Sequence, residues 1–270
     1  MSSIATNNNA SKAVLALTGA NQSMLESTQR LSTGRRINSA SDDQAGLRIS
    51  SKLSTSIVSL ERAVKNANDS ISMLQTADQG AGKVSEALFR MRELAIQAAN
   101  DTYSETDRAS LNKEFTALQE QANAQIQSTQ WNGQSLFNGE LDTVNLQIGA
   151  SANDSYSVDM ANFTDLSSLN ASAITTRDDA LSALDAIEAD LASVDEVRVR
   201  WGAAVNRLEH ASEFSDVATA NLSASRSRIV DTDYAQATAE LARAQIMQMA
   251  GKAMLSQATQ NPMSVMRLLR

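Results

Sequence analysis

The chain has no cysteine, which rules out disulfides, thiolate nucleophiles and cysteine-based metal sites. Proline occurs once, at Pro262, so almost nothing interrupts a helix by removing a backbone donor. Aromatic residues make up only 4% of a chain that is 42% hydrophobic. Burial must therefore rest on Ala, Leu, Ile, Val and Met, which suits helices packed closely on helices. There is no basic surplus either: the formal charge is −8, which argues against nucleic acid or an anionic membrane surface as partner. No apolar run approaches the roughly 20 residues that span a bilayer. The opening segment MSSIATNNNASK has neither a basic region nor an apolar core, so no cleavable secretory signal is expected there. HExxH, a phosphate-binding glycine loop and a nucleophile elbow are all absent. His210, the single histidine, lacks clustered partners and is expected on a helix surface. Neither catalysis nor a metal or cofactor is expected.

What the sequence does contain is helical periodicity. A weak stripe runs through Ile4, Val14, Leu17, Met24, Leu25, Thr28 and Leu31. The patch RLSTGRRINSASDDQAGLRIS, residues 30 to 50, then breaks it with Gly34, and Ser41, Asp42 and Asp43 read as the start of a new helix. From Ile49 and Leu53 through Ile57, Leu74, Val84, Leu88 and Met91 to Ala98, apolar residues recur at spacings of three and four. That is a sustained heptad, and about 50 residues of it make a rod of roughly 75 Å. A shorter helix carries Leu111, Phe115, Leu118, Ala122 and Ile126. In TQWNGQSLFNG two Asn-Gly pairs mark tight turns. Alternation in Val144, Leu146, Ile148 and again in Tyr156, Val158, Met160 predicts a β-hairpin. Residues 162 to 178 are polar and read as loop, and helix resumes at Leu181, Leu184, Ile187, Leu191, Val194, Trp201 and Leu208.

A second break, SRIVDTDYA, lies about as far from the C-terminus as the first lies from the N-terminus. The order of parts is therefore almost palindromic. The fold predicted is mainly α: a long antiparallel coiled-coil-like helical rod, a small β-hairpin region, and paired N- and C-termini. On the last helix Leu241, Ala244, Gly251, Leu255 and Ala258 share one side, while Ile246, Met249 and Ala253 lie roughly opposite. One partner helix covers one stripe, so the second implies another neighbour, such as a different copy of the chain. Such Ala- and Ser-rich ends bury little apolar surface, which predicts that they order only on assembly. The methionines Met247, Met249, Met254, Met263 and Met266 are expected to fill core gaps.

At the two breaks the chain resembles bacterial flagellin. The similar segments are QRLSTGRRINSASDDQAGLRIS, NANDSISMLQTADQGAGKVSEALFRMRELAIQAAN, and NLSASRSRIVDTDYAQATAELARAQIMQMAGKAMLSQATQNPMSVMRLLR, together with the TQWNGQSLFNG turn. The resemblance covers roughly residues 1–150 and 180–270. It implies an inner-core helical domain made of residues 1–42 and 229–270. An outer-tube domain would comprise 43–178, with long helix, short helix, hairpin and loop, and the returning helix 179–228. Polar spokes would join the two layers. Only about 30 residues separate the hairpin from the returning helix, so the large central domains of longer members are expected to be absent.

The resemblance further implies a secreted structural subunit that polymerises into the extracellular flagellar filament for swimming, exported unfolded by the type III flagellar route. Implied partners are further copies of itself, a flagellar export chaperone, the filament cap and the hook-filament junction proteins. Assembly would use Leu17, Leu31, Leu241, Ile246, Met249, Leu255, Leu268 and Leu269 on the terminal helices. Gly34, Arg36, Asn38, Asp42, Asp43, Arg228, Asp231 and Asp233 would form the spoke joints. LFRMREL, residues 88 to 94, resembles the segment bound by the vertebrate toll-like flagellin receptor, with Arg90, Leu94 and Glu114 as contacts. Residues 29 to 50 resemble the epitope sensed by the plant flagellin receptor. A secreted helical effector is the alternative from a different class, and polymerisation separates the two.

Overall fold

The computed structural model describes residues 7–170 and 173–268, with side chains as far as residue 260. Among these the chain forms α1 (Asn8–Thr33), α2 (Gln44–Ala98), α3 (Glu105–Ser128), β1 (Gln130–Trp131), β2 (Gln134–Ser135), β3 (Thr143–Gln147), β4 (Ser155–Asp159), α4 (Arg177–Val230) and α5 (Tyr234–Leu268). The mainly α fold and the hairpin are as the periodicity predicts. The chain divides into two compact units, a terminal one of Met1–Thr55 and Asn221–Arg270 and a central one of Ser56–Ala220.

Helix ends follow local chemistry. Asn7 caps α1 by accepting from the Ala10 amide, and Gly34 ends it at φ 68°, a left-handed conformation that costs a side chain dearly. Ser104 and Asp107 form a reciprocal capping box on α3. At α4 the Thr176 hydroxyl accepts from the Asp179 amide and donates to the Asp179 carboxylate. Asn132 and Gly133, at φ 49° and 80°, make the two-residue turn between β1 and β2. In the second hairpin Val144 faces Val158 and Leu146 faces Tyr156.

In the central unit α2 and α4 run antiparallel: Arg92 bonds Glu188 at 2.8 Å, and Arg198 bonds Asp78 at 2.8 Å. Between them the heptad stripe is fully enclosed at Leu74, Val84, Leu88 and Met91, and α4 answers with Ile187, Val194, Trp201 and Leu208. Phe137 stacks at 6.0 Å on Trp201, whose indole nitrogen donates to the Asp159 carbonyl at 3.1 Å. Phe163 closes the cluster, 4.7 Å from Phe137.

Three expectations are corrected. Ile49 is 48% exposed, because the first turns of α2 turn Gly46 and Ser50 inward instead, with Gly46 against Ile37. Leu181 is 41% exposed, and the smaller Ala180 and Ala183 take the buried side of α4. Residues 162–170 and 173–176 lack regular structure, as expected of a loop, yet Phe163, Leu166, Leu169 and Ile174 lie in the core. Asp190 holds this segment by accepting from the Ser167 amide and hydroxyl and from the Ser168 amide at 2.6 Å. Irregular backbone has no period, so its inward residues leave no pattern in the sequence.

Leu88→Ala is expected to cost the central unit about 2–5 kcal/mol, the usual price of a large core cavity, and Leu181→Ala no more than about 0.5 kcal/mol. Denaturant unfolding followed by Trp201 fluorescence checks both.

Candidate assembly interface

The terminal unit is built on α1 and α5. They lie antiparallel: the Asn7 side chain donates through Nδ2 to the Ala258 carbonyl at 2.7 Å, the Gln248 side chain donates to Asn21 at 2.7 Å, and Arg30 meets Glu240 at 3.8 Å. Small residues let them approach. Ala20, Ser27 and Ala244 are buried, and Leu17 sits where a side chain on Gly251 would begin, 3.4 Å away. Leu17, Leu31, Leu241 and Leu255 are half-buried along the same seam.

Close packing through small residues turns larger ones outward. Val14 and Leu25, expected on the α1 stripe, are 48% and 66% exposed, and Leu15 is 76% exposed. On α5 the second face is bare: Ile246 and Met249 are each 62% exposed. Met247 and Met254 are also exposed, so these methionines are surface residues and not core filler. The reason is geometric, since α1 covers only the opposite side of α5. Leu269, and the side chains of Leu268, Met263 and Met266, lie outside the described residues, as does Ile4.

The two sequence breaks meet. The Arg36 amide donates to the Val230 carbonyl at 2.6 Å, and the Thr232 amide to the Gly34 carbonyl at 3.0 Å, a single antiparallel bridge between Arg35 and Asp231. The Arg36 guanidinium donates to the Ile229 carbonyl at 2.7 Å, satisfying an acceptor left open at the end of α4. The Asn38 side chain donates to the Arg35 carbonyl at 2.9 Å. Asp42 accepts from the Asn38 and Ser39 amides at 2.9 and 2.8 Å. The Asn38 amide first, then that of Ser39, holds the Asp42 carboxyl below the usual carboxylate range. Asp43 caps α2 through the Gly46 amide, and Asp233 caps α5 through the Ala235 and Gln236 amides.

Arg228 is exposed on α4, its guanidinium donating to the Ser225 hydroxyl at 3.4 Å, with no bond to the joint among the described residues. Two residues that pattern-reading passed over belong to it. Ile37 is 4% exposed, and the Tyr234 hydroxyl donates to the Leu31 carbonyl at 3.3 Å, beside the space over Gly34. A tyrosine inside a break, in a chain so poor in aromatics, was the available signal.

In the central unit the Arg90 guanidinium bridges Glu93 at 2.6 Å and Glu114 at 2.9 Å, and these two carboxylates hold it more firmly protonated. Arg90 and Glu114 are both exposed, with Phe89 beside them, 53% exposed. Leu94 points the other way: at 2% exposure it packs in the core. His210 is exposed, its nearest carboxylate being Glu213 at 4.0 Å. No described helix is long and apolar enough to cross a membrane.

The profile of the bacterial flagellin N-terminal helical region matches residues 4–142, and that of the flagellin C-terminal helical region matches residues 184–269. The chain belongs to the bacterial flagellin family. A flagellin of Halalkalibacterium halodurans is 44% identical over 246 residues, covering 90% of each chain. The flagellin of Bacillus subtilis is 34% identical, covering 94% of this chain and 95% of its own. The crystal structure of Bacillus cereus flagellin superposes with a TM-score of 0.52 at 27% identity, covering 56% of this chain and 88% of that one. This flagellin is thus a short form without a large central domain, a structural protein and not an enzyme. It is a self-polymerising subunit of the extracellular flagellar filament.

The joint generates two predictions. A β-carbon at Gly34 meets the left-handed penalty of about 1–2 kcal/mol. Gly34→Ala should therefore lower the melting temperature of the filament while that of the central unit stays put. Asp42 has its folded pKa below its unfolded one. Its contribution is complete above the unfolded value, near ~3.9, and is lost as pH falls through the lower folded value. Amide NMR of Asn38 and Ser39 should show the turn opening in that acid range, and Asp42→Asn should remove the transition.

Proposed function

We propose that the terminal unit is the assembly element of this flagellin, and that it becomes fully ordered only when the bare face of α5 is covered by another copy. The observation that carries this is the second apolar face itself, Ile246 and Met249 opposite a seam that α1 already fills. Composition supports it. The described hydrophobic residues buried in this unit are Ala20, Ile37, Ala237 and Ala244. A buried alanine methyl contributes roughly 0.8 kcal/mol, against about 1–2 kcal/mol for fixing each residue's backbone. Intermolecular burial must supply the difference. Residues 1–42 and 229–270 would then form the inner layer of the filament, and 43–178 with 179–228 the outer layer. The hydrogen-bonded joint would be the spoke. Before export, the same exposed face is the surface that an export chaperone would shield, and during growth the one that the cap and hook-filament junction proteins would meet.

Host recognition is a second reading, favoured by the exposed Arg90–Glu114 pair. A toll-like receptor would meet Arg90 and Glu114 directly, with Leu94 shaping the surface from beneath. The plant receptor would meet residues 29 to 50 only in released or degraded subunits, because the joint occupies that segment.

Deleting residues 230 to 270 is expected to abolish seeded filament growth, scored by electron microscopy, while circular dichroism still shows a folded central unit. Filaments growing from the truncated chain would overturn the proposal. Arg90→Ala should reduce receptor activation about tenfold, one charge-assisted contact's worth, without changing filament growth.

A further inference from the structure

The methionines divide by unit. In the central unit Met73, Met91 and Met160 are buried, at 7%, 0% and 8% exposure. In the terminal unit Met24 on α1 is half-buried, whereas Met247, Met249 and Met254 on α5 are 55%, 62% and 62% exposed. Among the described side chains, every exposed methionine is therefore on α5. Met249 stands with Ile246 on the bare face. Met247 and Met254 lie about two turns apart and border an open groove of about 660 Å³, whose other side is formed by Ala13 and Ala16 of α1.

A thioether brings chemistry as well as apolar area to such a surface, because its sulfur accepts oxygen from a peroxide. The sulfur lone pair attacks one oxygen of hydrogen peroxide. A sulfur–oxygen bond forms, the peroxide O–O bond breaks, and the second oxygen leaves as water with both protons. Sulfur is oxidised by two electrons and the peroxide is reduced by two. The chain has no cysteine to react first, and the core methionines are shielded, so the three α5 sulfurs are the ones a peroxide meets. The sulfoxide is polar and accepts hydrogen bonds. On a face that must lose its water when another copy covers it, that oxygen has to find a donor or be buried without one, which opposes the contact.

We propose that Met247, Met249 and Met254 form a peroxide-sensitive, reversible block on assembly, in which oxygen added to these sulfurs holds the subunit unassembled while its central unit stays folded. The inference rests on the assembly role proposed for α5 and adds a modification chemistry to that helix. Reversibility follows from the product, since methionine sulfoxide is returned to the thioether by a pair of reductases, one for each epimer at sulfur. The burial of Met73, Met91 and Met160 separates the two effects: a dose that modifies the assembly helix leaves the core untouched.

The test treats full-length subunits with hydrogen peroxide, removes the oxidant and offers them to wild-type seeds. Peptide mass spectrometry should find one added oxygen on each of Met247, Met249 and Met254 before Met73, Met91 or Met160 gains any. At that point the critical concentration for growth should have risen at least about tenfold, with the unfolding midpoint of the central unit unchanged. Reduction by both epimer-specific reductases should bring it back to within about threefold of the untreated chain. Met247→Leu, Met249→Leu and Met254→Leu together keep the apolar volume, and this variant should grow alike before and after the same dose. Normal growth of subunits oxidised at all three positions, inhibition that persists after reduction, or inhibition of the leucine variant by peroxide would each overturn the proposal. Should the leucine variant fail to grow even untreated, the oxidised and re-reduced wild-type chain still decides. An untreated wild-type chain that never extends a seed would instead count against the assembly function itself.

Discussion

A helix has one outline and a single neighbour covers one side of it, and that limit governs this molecule more than any individual contact. In the central unit the limit is met from within the chain. The inner stripe of α2 shares one core with α3, α4, the second hairpin and Phe163, Leu166, Leu169 and Ile174, and large side chains such as Trp201, Phe137 and Leu88 are fully enclosed. In the terminal unit, among the described residues, α1 and α5 pack on each other. Their seam is made of Ala20, Ser27, Ala244 and Gly251, which permits close approach and sends Val14, Leu15, Ile246 and Met249 outward. The same residue choices that tighten the seam create the surplus face. A chain that leaves such a face on every copy has its polymerisation written into its packing.

The joint works differently, because its specificity is in the backbone. The bridge between Arg35 and Asp231 uses main-chain amides and carbonyls, so the Arg35 side chain is free of it and stays exposed. What the sequence must supply is permission for the chain to turn. Gly34 gives the left-handed residue, Asp42 ties two amides of the following turn, and Asp43 and Asp233 start the next helices. Arg36 adds a long-range side-chain bond onto the Ile229 carbonyl, and Tyr234 another onto the Leu31 carbonyl. Removing a side chain from such a place loosens the joint without opening a core.

How much of this could be read from the sequence depended on whether the information was local. The α2 heptad, the two Asn-Gly turns and the alternating hairpin are periodic signals within short windows, and the structure follows them. Stripe ends were less legible, because small residues do the burying there: Ser50 in place of Ile49, and Ala180 and Ala183 in place of Leu181. Phe163, Leu166 and Leu169 follow no period, and the turn at Ser167 and Ser168 is held by a buried carboxylate, Asp190, more than twenty residues away. At the joint, aspartates and glycine announced a break. That the two breaks bond to one another, with Tyr234 reaching Leu31, is long-range information that no window contains. Leu94 shows the converse limit, since a resemblance names a residue without saying that it faces the core.

Three of the arginine clasps of the central unit show what its ion pairs contribute. Arg90–Glu114, Arg92–Glu188 and Arg198–Asp78 all sit at the rim, with side chains roughly a third to a half exposed. Exposed pairs of this kind contribute little stability, about 0–1 kcal/mol each, so they do not hold the core together. Their value is register. A heptad stripe of similar apolar residues can slide by a turn with little loss, and a clasp at Asp78 and another at Arg92 allow one alignment of α2 on α4. Fixing that alignment fixes which residues of each helix face outward. The rim charges therefore set which residue of α2 stands beside which residue of α4, although they add little to the stability of the unit.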